Sequence, residues 1–280
     1  MRISRDIDLY KYSTMRTHSI GDIMYTPENM EELKSLIHEL HGDCYFIGGG
    51  SNIVFGSRVH TPIVNLMELN HSLQLDADRT VVAGCSVRIQ KLINFGCEHS
   101  LGGFEYLYSL PASVGGIVYM NAGRGKSFHQ QISDWLESVE YLDLNDMEVK
   151  TMKVEKALWG YRCSPFQKMK AVILSAKFRM QQSTKEQVAD NIQNRKEIAH
   201  STQEGNKPSC GSVFHTYNKY LMYLLRGRRV GGACYSKKTL NWISNDREGT
   251  SDDIIALIQK ARRLHKLFFQ RCELEIKIVK

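Results

Sequence analysis

The sequence predicts a mixed α+β protein, and three observations carry that prediction. Segments of helical period and β-type apolar runs alternate irregularly, without the even βαβα spacing of a doubly wound sheet. The 280 residues are 42% hydrophobic and 24% charged, an ordinary globular balance that supplies one large core or two or three modest ones. Two stretches of small residues, "IGGGSN" and "PASVGGIVYMNAG", interrupt otherwise regular elements.

Along the chain, "TPENMEELKSLIHELHG" from Thr26 to Gly42 places Met30, Leu33, Leu36, Ile37 and Leu40 on one helical face. Thr26 is the expected cap, Pro27 suits the first turn, and Gly42 ends the helix. Strands are expected in "CYFIG", "NIVF", "PIVNLM" and "TVVAGCSV", then a second amphipathic helix in "SVRIQKLINFGCEHS". Small residues predominate from Ser109 to Gly125, where a loop region is expected. "SVEYLDL" and "KAVILSAKFRM" return to strand. The stretch from Thr184 to Asn206 begins as a charged helix and loses its period, which marks a domain junction. Beyond it lie a helix around "KYLMYLLRG", strands in "VGGACYSKKTLNWISN" and a helix in "TSDDIIALIQKARRLHKLFFQ". The closing "CELEIKIVK" alternates as one half-buried strand. Its pattern puts Glu273, Glu275 and Lys277 on one face and Leu274, Ile276 and Ile278 on the other.

Composition excludes several classes. No apolar run of about 18 residues exists, so no spanning segment and no membrane partner are expected. The start, "MRISRDIDLYKY", lacks the apolar core of a signal peptide. Seven cysteines without a C-x-x-C pair suggest reduced thiols in a cytoplasm, and no metal-ligating pattern occurs. The net charge of +7 comes from mixed stretches rather than a basic tail; it suits phosphates on small ligands, and no nucleic-acid partner is expected.

Three consecutive glycines between apolar runs need a reason, because ordering glycine costs the most backbone entropy. Gly48, Gly49 and Gly50 can turn their amides toward an anion, with Ser51 and Asn52 adding donors. An ordinary tight turn would also carry these residues. Two phosphate fingerprints fail: the dinucleotide G-x-G-x-x-G needs glycine at Ile53, and "GRGKS", Gly123 to Ser127, needs glycine at Met120 to complete a P-loop. The second small-residue segment lets backbone pass close to a flat ligand. Together the two suggest one extended ligand, phosphates at the first and a planar ring at the second.

In this order, "GGGSNIVF", "GFEYLYSLPASVGGIVYMNAGRG", "YRCSPF", "PSCGSVF", "GGACYS" and "ELEIKIV" resemble the UDP-N-acetylenolpyruvoylglucosamine reductases, from about Thr14 to Lys280. The length is similar to their shorter subtype. The resemblance implies a vanillyl-alcohol-oxidase/PCMH-type FAD-binding fold, with subdomains at 1–58 and 59–185 and a C-terminal α+β substrate domain at 186–280. It implies FAD as cofactor, NADPH as co-substrate, a UDP-sugar substrate, and a monomer or weak dimer. Gly48, Gly49, Gly50, Ser51 and Asn52 would hold the FAD pyrophosphate, with Ile47 also among the cofactor contacts. Ser109, Pro111, Ala112, Ser113, Gly115, Gly116, Asn121, Ala122 and Gly123 would line its ring and ribityl chain, with Lys277 near the flavin.

The reaction that the resemblance implies adds hydride to an enolpyruvyl double bond, so charge develops toward a carboxylate and a carbon must be protonated. Arg162 matches the charge-stabilising arginine, Ser212 the proton-donating serine, and Glu275 a glutamate near the reacting bond. Tyr161, His215, Lys219 and Lys237 are the expected substrate contacts. The pattern departs at His18 and Ser19, at Ala112, at His215, Thr216 and Tyr217, and at Thr239. A diverged FAD oxidoreductase acting on another nucleotide sugar or enol ether therefore stays open, as does a flavin-binding module without turnover.

Overall fold

The computed structural model describes residues 1–76, 79–125, 129–205 and 207–280. Lys126 and Ser127 of "GRGKS", and Asn206 at the expected junction, lie outside the described residues. The chain forms two compact units, each assembled from separated stretches. One comprises Met1–Ile3, Tyr25–Gly49 and Ile63–Glu197; the other comprises Ser4–Met24, Gly50–Pro62 and Ile198–Lys280.

In the first unit, α1 (Met30–Glu39) buries Leu33, Leu36 and Ile37, as its period requires. Its cap is Asn29, whose side chain accepts from Glu32 N at 2.9 Å, and not Thr26. Thr26 instead closes the buried end of the strand Ile20–Thr26. The residue before a proline is biased to extended backbone, which keeps it there. The strands Tyr45–Ile47 and Ile63–Asn65 pair in parallel, Tyr45 opposite Ile63.

A five-stranded antiparallel sheet forms the rest of this unit, in the order Val149–Lys153, Leu136–Asp143, Ala171–Arg179, Thr80–Gly84, Leu73–Leu75. Onto it pack α2 (Ile89–Glu98) and α3 (Val114–Tyr119), so that Val81, Val139 and Phe178 share a core with Leu92, Ile117 and Val118. The helix α3 lies where a loop was expected. Its two glycines disfavour a helix by about 1 kcal/mol each. Burial of Val114, Ile117 and Val118, at about 1.5–3 kcal/mol per side chain, outweighs that, and Ser113 caps the first turn. The charged helix α4 (Lys185–Thr202) begins in this unit and buries Val188 and Ile192.

The second unit is built on a three-stranded antiparallel sheet, Arg229–Val230, Ala233–Tyr235 and Ile243–Asn245. Against it lie α5 (Lys219–Leu225) and α6 (Ser251–Leu267), the latter started by a capping box between Thr250 and Asp253. Met15, Val54, Phe214, Tyr235, Ile254 and Leu257 make its core. The closing segment is not one alternating strand. Glu273–Leu274 pairs antiparallel with Phe214–Thr216, and Lys277–Val279 pairs in parallel with Ile53–Phe55. The break falls at Glu275 and Ile276, both of whose amides point to the Val213 carbonyl. Glu275 is therefore buried while Glu273 and Lys277 stay exposed, which overturns the expected shared face.

Candidate active site

In the first unit the two small-residue segments meet. A Cβ on Gly48 would lie 2.6 Å from Ser113 Oγ, and one on Gly49 would lie 2.9 Å from the Pro111 carbonyl and 3.0 Å from an Arg88 guanidinium nitrogen. Only glycine allows this approach. Ile47 is buried at the end of its strand, and Ala112 and Ala122 are buried beside the loop. Gly115 packs against Cys85, whereas Gly116 has open space around it apart from Ser113 Oγ. Ser109 Oγ is a buried hydroxyl without a hydrogen-bond partner among the described residues. That orphaned donor, two residues before the Pro111 that meets Gly49, fits a polar ligand running along the backbone. FAD, with its ribityl hydroxyls and pyrophosphate, is such a ligand.

Asn121 organises the neighbouring loop. It is buried and takes a left-handed φ of 42°, which Asn tolerates better than most residues. Its side-chain amide donates to the Gly160 carbonyl at 2.8 Å and to Gln131 Oε1 at 3.0 Å, and its Oδ1 accepts from Ser133 N at 3.1 Å. Gly123 is squeezed against Gln130, where a Cβ would sit 2.0 Å from a carbonyl. Asn121 thus steadies the turn before Arg162. Arg162 itself has a φ of 55°, and Gln167 Nε2 donates to its carbonyl at 3.0 Å. The guanidinium lies 5.3 Å from the Tyr161 ring centre, so Tyr161 packs beside it. Burial pushes the phenol of Tyr106 above its usual range, and the charge of Arg162 acts on it in the opposite sense.

The second unit gathers another set. Gly50 takes a φ of 67°, and a Cβ there would stand 2.0 Å from the Tyr12 carbonyl. Thr14 N donates to the Gly50 carbonyl at 3.0 Å, and Lys277 N to the Asn52 carbonyl at 2.9 Å, which fixes the peptide planes around Ser51. Asn52 Nδ2 donates to the Glu275 carbonyl at 3.0 Å, and Glu275 N donates to the Val213 carbonyl at 2.8 Å. These bonds draw three motifs, the glycine loop, the serine turn and the C-terminal strand, onto one another. Ser212 follows Gly211, whose φ is 74°, and bridges to Trp242. Cys210 is buried and donates through Sγ to the Ile53 carbonyl at 3.1 Å; burial pushes its thiol up, as suits a packing residue.

The expected substrate contacts of this unit have local partners of their own. His215 Nε2 lies 3.5 Å from Glu273 Oε2, and Lys219 Nζ lies 5.0 Å from the Tyr220 ring centre. Lys237 N donates to Glu204 Oε1 at 2.7 Å while its methylenes cover Gly227. The departures are likewise absorbed locally. His18 pairs with Asp8 at 2.8 Å, Ser19 meets Ser251 at 3.0 Å, and Thr239 donates to the Thr202 carbonyl.

Two positioning residues escaped the sequence reading. Asn241 is buried with a φ of 65°. It accepts from Phe214 N at 2.9 Å, donates to the Phe214 carbonyl at 2.7 Å and takes Val213 N on its own carbonyl at 2.9 Å, so it holds the chain after Ser212. Arg88 leans onto the glycine loop and donates to the Pro111 carbonyl at 3.3 Å. An isolated Asn or Arg carries no signal in the sequence.

The glycine loop, the orphaned serine and the loops around Asn121 fit a flavin-binding protein, and residues 22–152 match the FAD binding domain family. Along its whole length the chain is similar to the UDP-N-acetylenolpyruvylglucosamine reductase of Thermus caldophilus, with a TM-score of 0.80, 25% identity and complete coverage of both chains. It is 31% identical to the UDP-N-acetylenolpyruvoylglucosamine reductase of Francisella tularensis over 92% of this chain and 93% of that protein. It is 30% identical to that of Clostridium beijerinckii over 93% of this chain and 87% of that protein. The chain belongs to the UDP-N-acetylenolpyruvoylglucosamine reductase family.

Proposed function

We propose that the chain is the FAD-dependent reductase that converts UDP-N-acetylglucosamine enolpyruvate to UDP-N-acetylmuramate with NADPH, a cytoplasmic step of peptidoglycan precursor synthesis. One observation carries most weight: the buried Glu275 is tied through its amide to the residue that follows Ser212, and through its carbonyl to Asn52 of the glycine loop. A module that only bound flavin would have no need of a buried carboxylate on the segment tied to that serine's turn.

FAD, when bound, supplies hydride transfer from the nicotinamide to the enolpyruvyl double bond. Gly48, Gly49, Gly50, Ser51, Asn52 and Ser109 are among the groups that would hold it. Arg162 grips the substrate carboxylate with two parallel bonds and stabilises the charge that develops there. Ser212 delivers a proton to the other carbon, driven by the basicity of that carbon in the transition state. Glu275 stands beside this transfer, and Lys277 near the flavin. Tyr161, His215, Lys219 and Lys237 grip the nucleotide sugar.

Anaerobic stopped-flow absorbance of the flavin band tests this reading. After reduction by NADPH, mixing with UDP-N-acetylglucosamine enolpyruvate returns the oxidised spectrum rapidly. A flavin that reduces but stays reduced assigns the fold to another acceptor, the reading favoured by the altered run His215, Thr216 and Tyr217. A purified protein that takes up no FAD removes both.

A further inference from the structure

The basic charge of this chain is confined. From Gly205 to Asn245 and from Ile254 to Cys272 the sequence holds twelve Lys and Arg and no Asp or Glu, so the remainder has 25 Lys and Arg against 30 Asp and Glu. Both stretches lie in the second unit, and both carry exposed apolar side chains. Leu267, Phe268 and Phe269 are exposed at the end of α6, and Tyr220, Tyr223 and Leu224 on α5. The two helices are joined at this end. Asn218 N donates to His265 Nε2 at 3.1 Å, and Asn218 Nδ2 to Gln270 Oε1 at 3.3 Å. Arg262, Arg263 and Lys266 line an open hollow with Phe269 as its aromatic wall.

Phe269 is the decisive residue. It is 97% exposed and takes a φ of 53°, directly after the helix C-cap Phe268. That position normally falls to glycine, and a bulky side chain there is disfavoured both by its backbone and by its contact with water. Folding alone gives no reason for phenylalanine.

We infer that the joined ends of α5 and α6 dock onto an anionic phospholipid surface, the aromatic and aliphatic side chains entering the headgroup boundary and Arg262, Arg263, Lys266 and Arg271 meeting lipid phosphates. Amphipathic faces of this make-up, cations around aromatic and leucine side chains, lie in the interface without spanning it. Each surface Lys or Arg adds about 1 kcal/mol of attraction to an anionic leaflet, roughly fivefold in partition. A second copy of the chain is the poorer occupant, because a two-fold contact would set this cationic face against itself. Peripheral docking needs no long apolar run, so hydropathy alone does not reveal it.

The test is flotation of the FAD-loaded full chain with vesicles of phosphatidylcholine alone and of phosphatidylcholine with a quarter phosphatidylglycerol. Binding to the anionic vesicles only, lost at high salt, is the expected result. Arg262→Glu with Arg263→Glu lowers partition by about tenfold or more. Phe269→Gly also weakens binding while leaving the melting temperature unchanged or raised, since glycine accepts that backbone. The reductase activity in solution is unaltered in both. No flotation, equal flotation with neutral vesicles, or a concentration-dependent dimer that Phe269→Gly dissolves would overturn the inference.

Discussion

Asn52 and Glu275, 223 positions apart in sequence, are joined by a bond of 3.0 Å from the Asn52 side-chain amide to the Glu275 carbonyl. The bond places the carboxylate-bearing residue by its backbone. Asn52→Ala removes that donor and is expected to lower stability by about 1 kcal/mol in urea unfolding. A larger effect on flavin reoxidation by substrate than on flavin reduction by NADPH would show that the bond positions Glu275. Equal slowing of both would show that Asn52 serves the cofactor alone.

Ser212→Ala is expected to leave flavin reduction by NADPH at its normal rate and to slow reoxidation by substrate. General-acid groups contribute about 10²–10⁴-fold, and a loss in that range is the expected outcome. Normal reoxidation in the same stopped-flow trace would remove Ser212 from the reaction.

The glycines divide into two groups with opposite predictions. An alanine methyl at Gly50 would meet the Tyr12 carbonyl at 2.0 Å, and φ there is 67°. Overpacking at about 1–3 kcal/mol and a left-handed alanine at about 1–2 kcal/mol together are expected to lower stability by roughly 2–5 kcal/mol in urea unfolding. At Gly116, inside α3, the nearest atom to such a methyl is Ser113 Oγ at 3.5 Å. There alanine favours the helix by about 1 kcal/mol, so the apo protein melts higher. A simultaneous fall in FAD affinity, read by flavin fluorescence quenching, would place Gly116 against the cofactor.

Asn241→Ala strands both backbone groups of Phe214 in a buried site and leaves alanine with a φ of 65°. A loss of roughly 2–4 kcal/mol is expected in urea unfolding. A variant as stable as the parent would show that the segment after Ser212 is held by other means.

Acid is expected to loosen the Lys237 segment. Burial alone would raise the Glu204 carboxyl, but bonds from Lys237 N and Ser236 outweigh it and bring the group below its ordinary 4.5. A carboxyl lowered by folding adds stability above its unfolded pKa and loses it as the pH falls through the folded value. Amide-exchange protection at Lys237 should therefore drop as the pH falls below 4.5. Glu204→Gln should flatten that dependence, and persistence of the drop in the variant would assign it to another carboxylate.

Periodicity and small-residue composition were enough to read α1, α2 and α6, the strands Thr80–Gly84, Leu136–Asp143 and Ala171–Arg179, and the two loops that proved to touch at Gly48, Gly49, Pro111 and Ser113. These features depend on neighbours in sequence: a 3.6-residue or two-residue repeat, a cap, a residue without a Cβ. Burial that no local pattern encodes decided the rest. The helix α3 forms because three apolar side chains find a core, although its glycines argue for a loop. The last strand splits in two because Phe214–Thr216 and Ile53–Phe55 claim its halves, and that split buries Glu275. Asn241 and Arg88 became site residues only when distant chain was brought beside them. The sequence by itself determined the periods of the helices and strands and the two small-residue segments; the tertiary structure decided which carbonyls and amides hold the candidate site residues, because a hydrogen bond between residues 223 apart leaves no period to read.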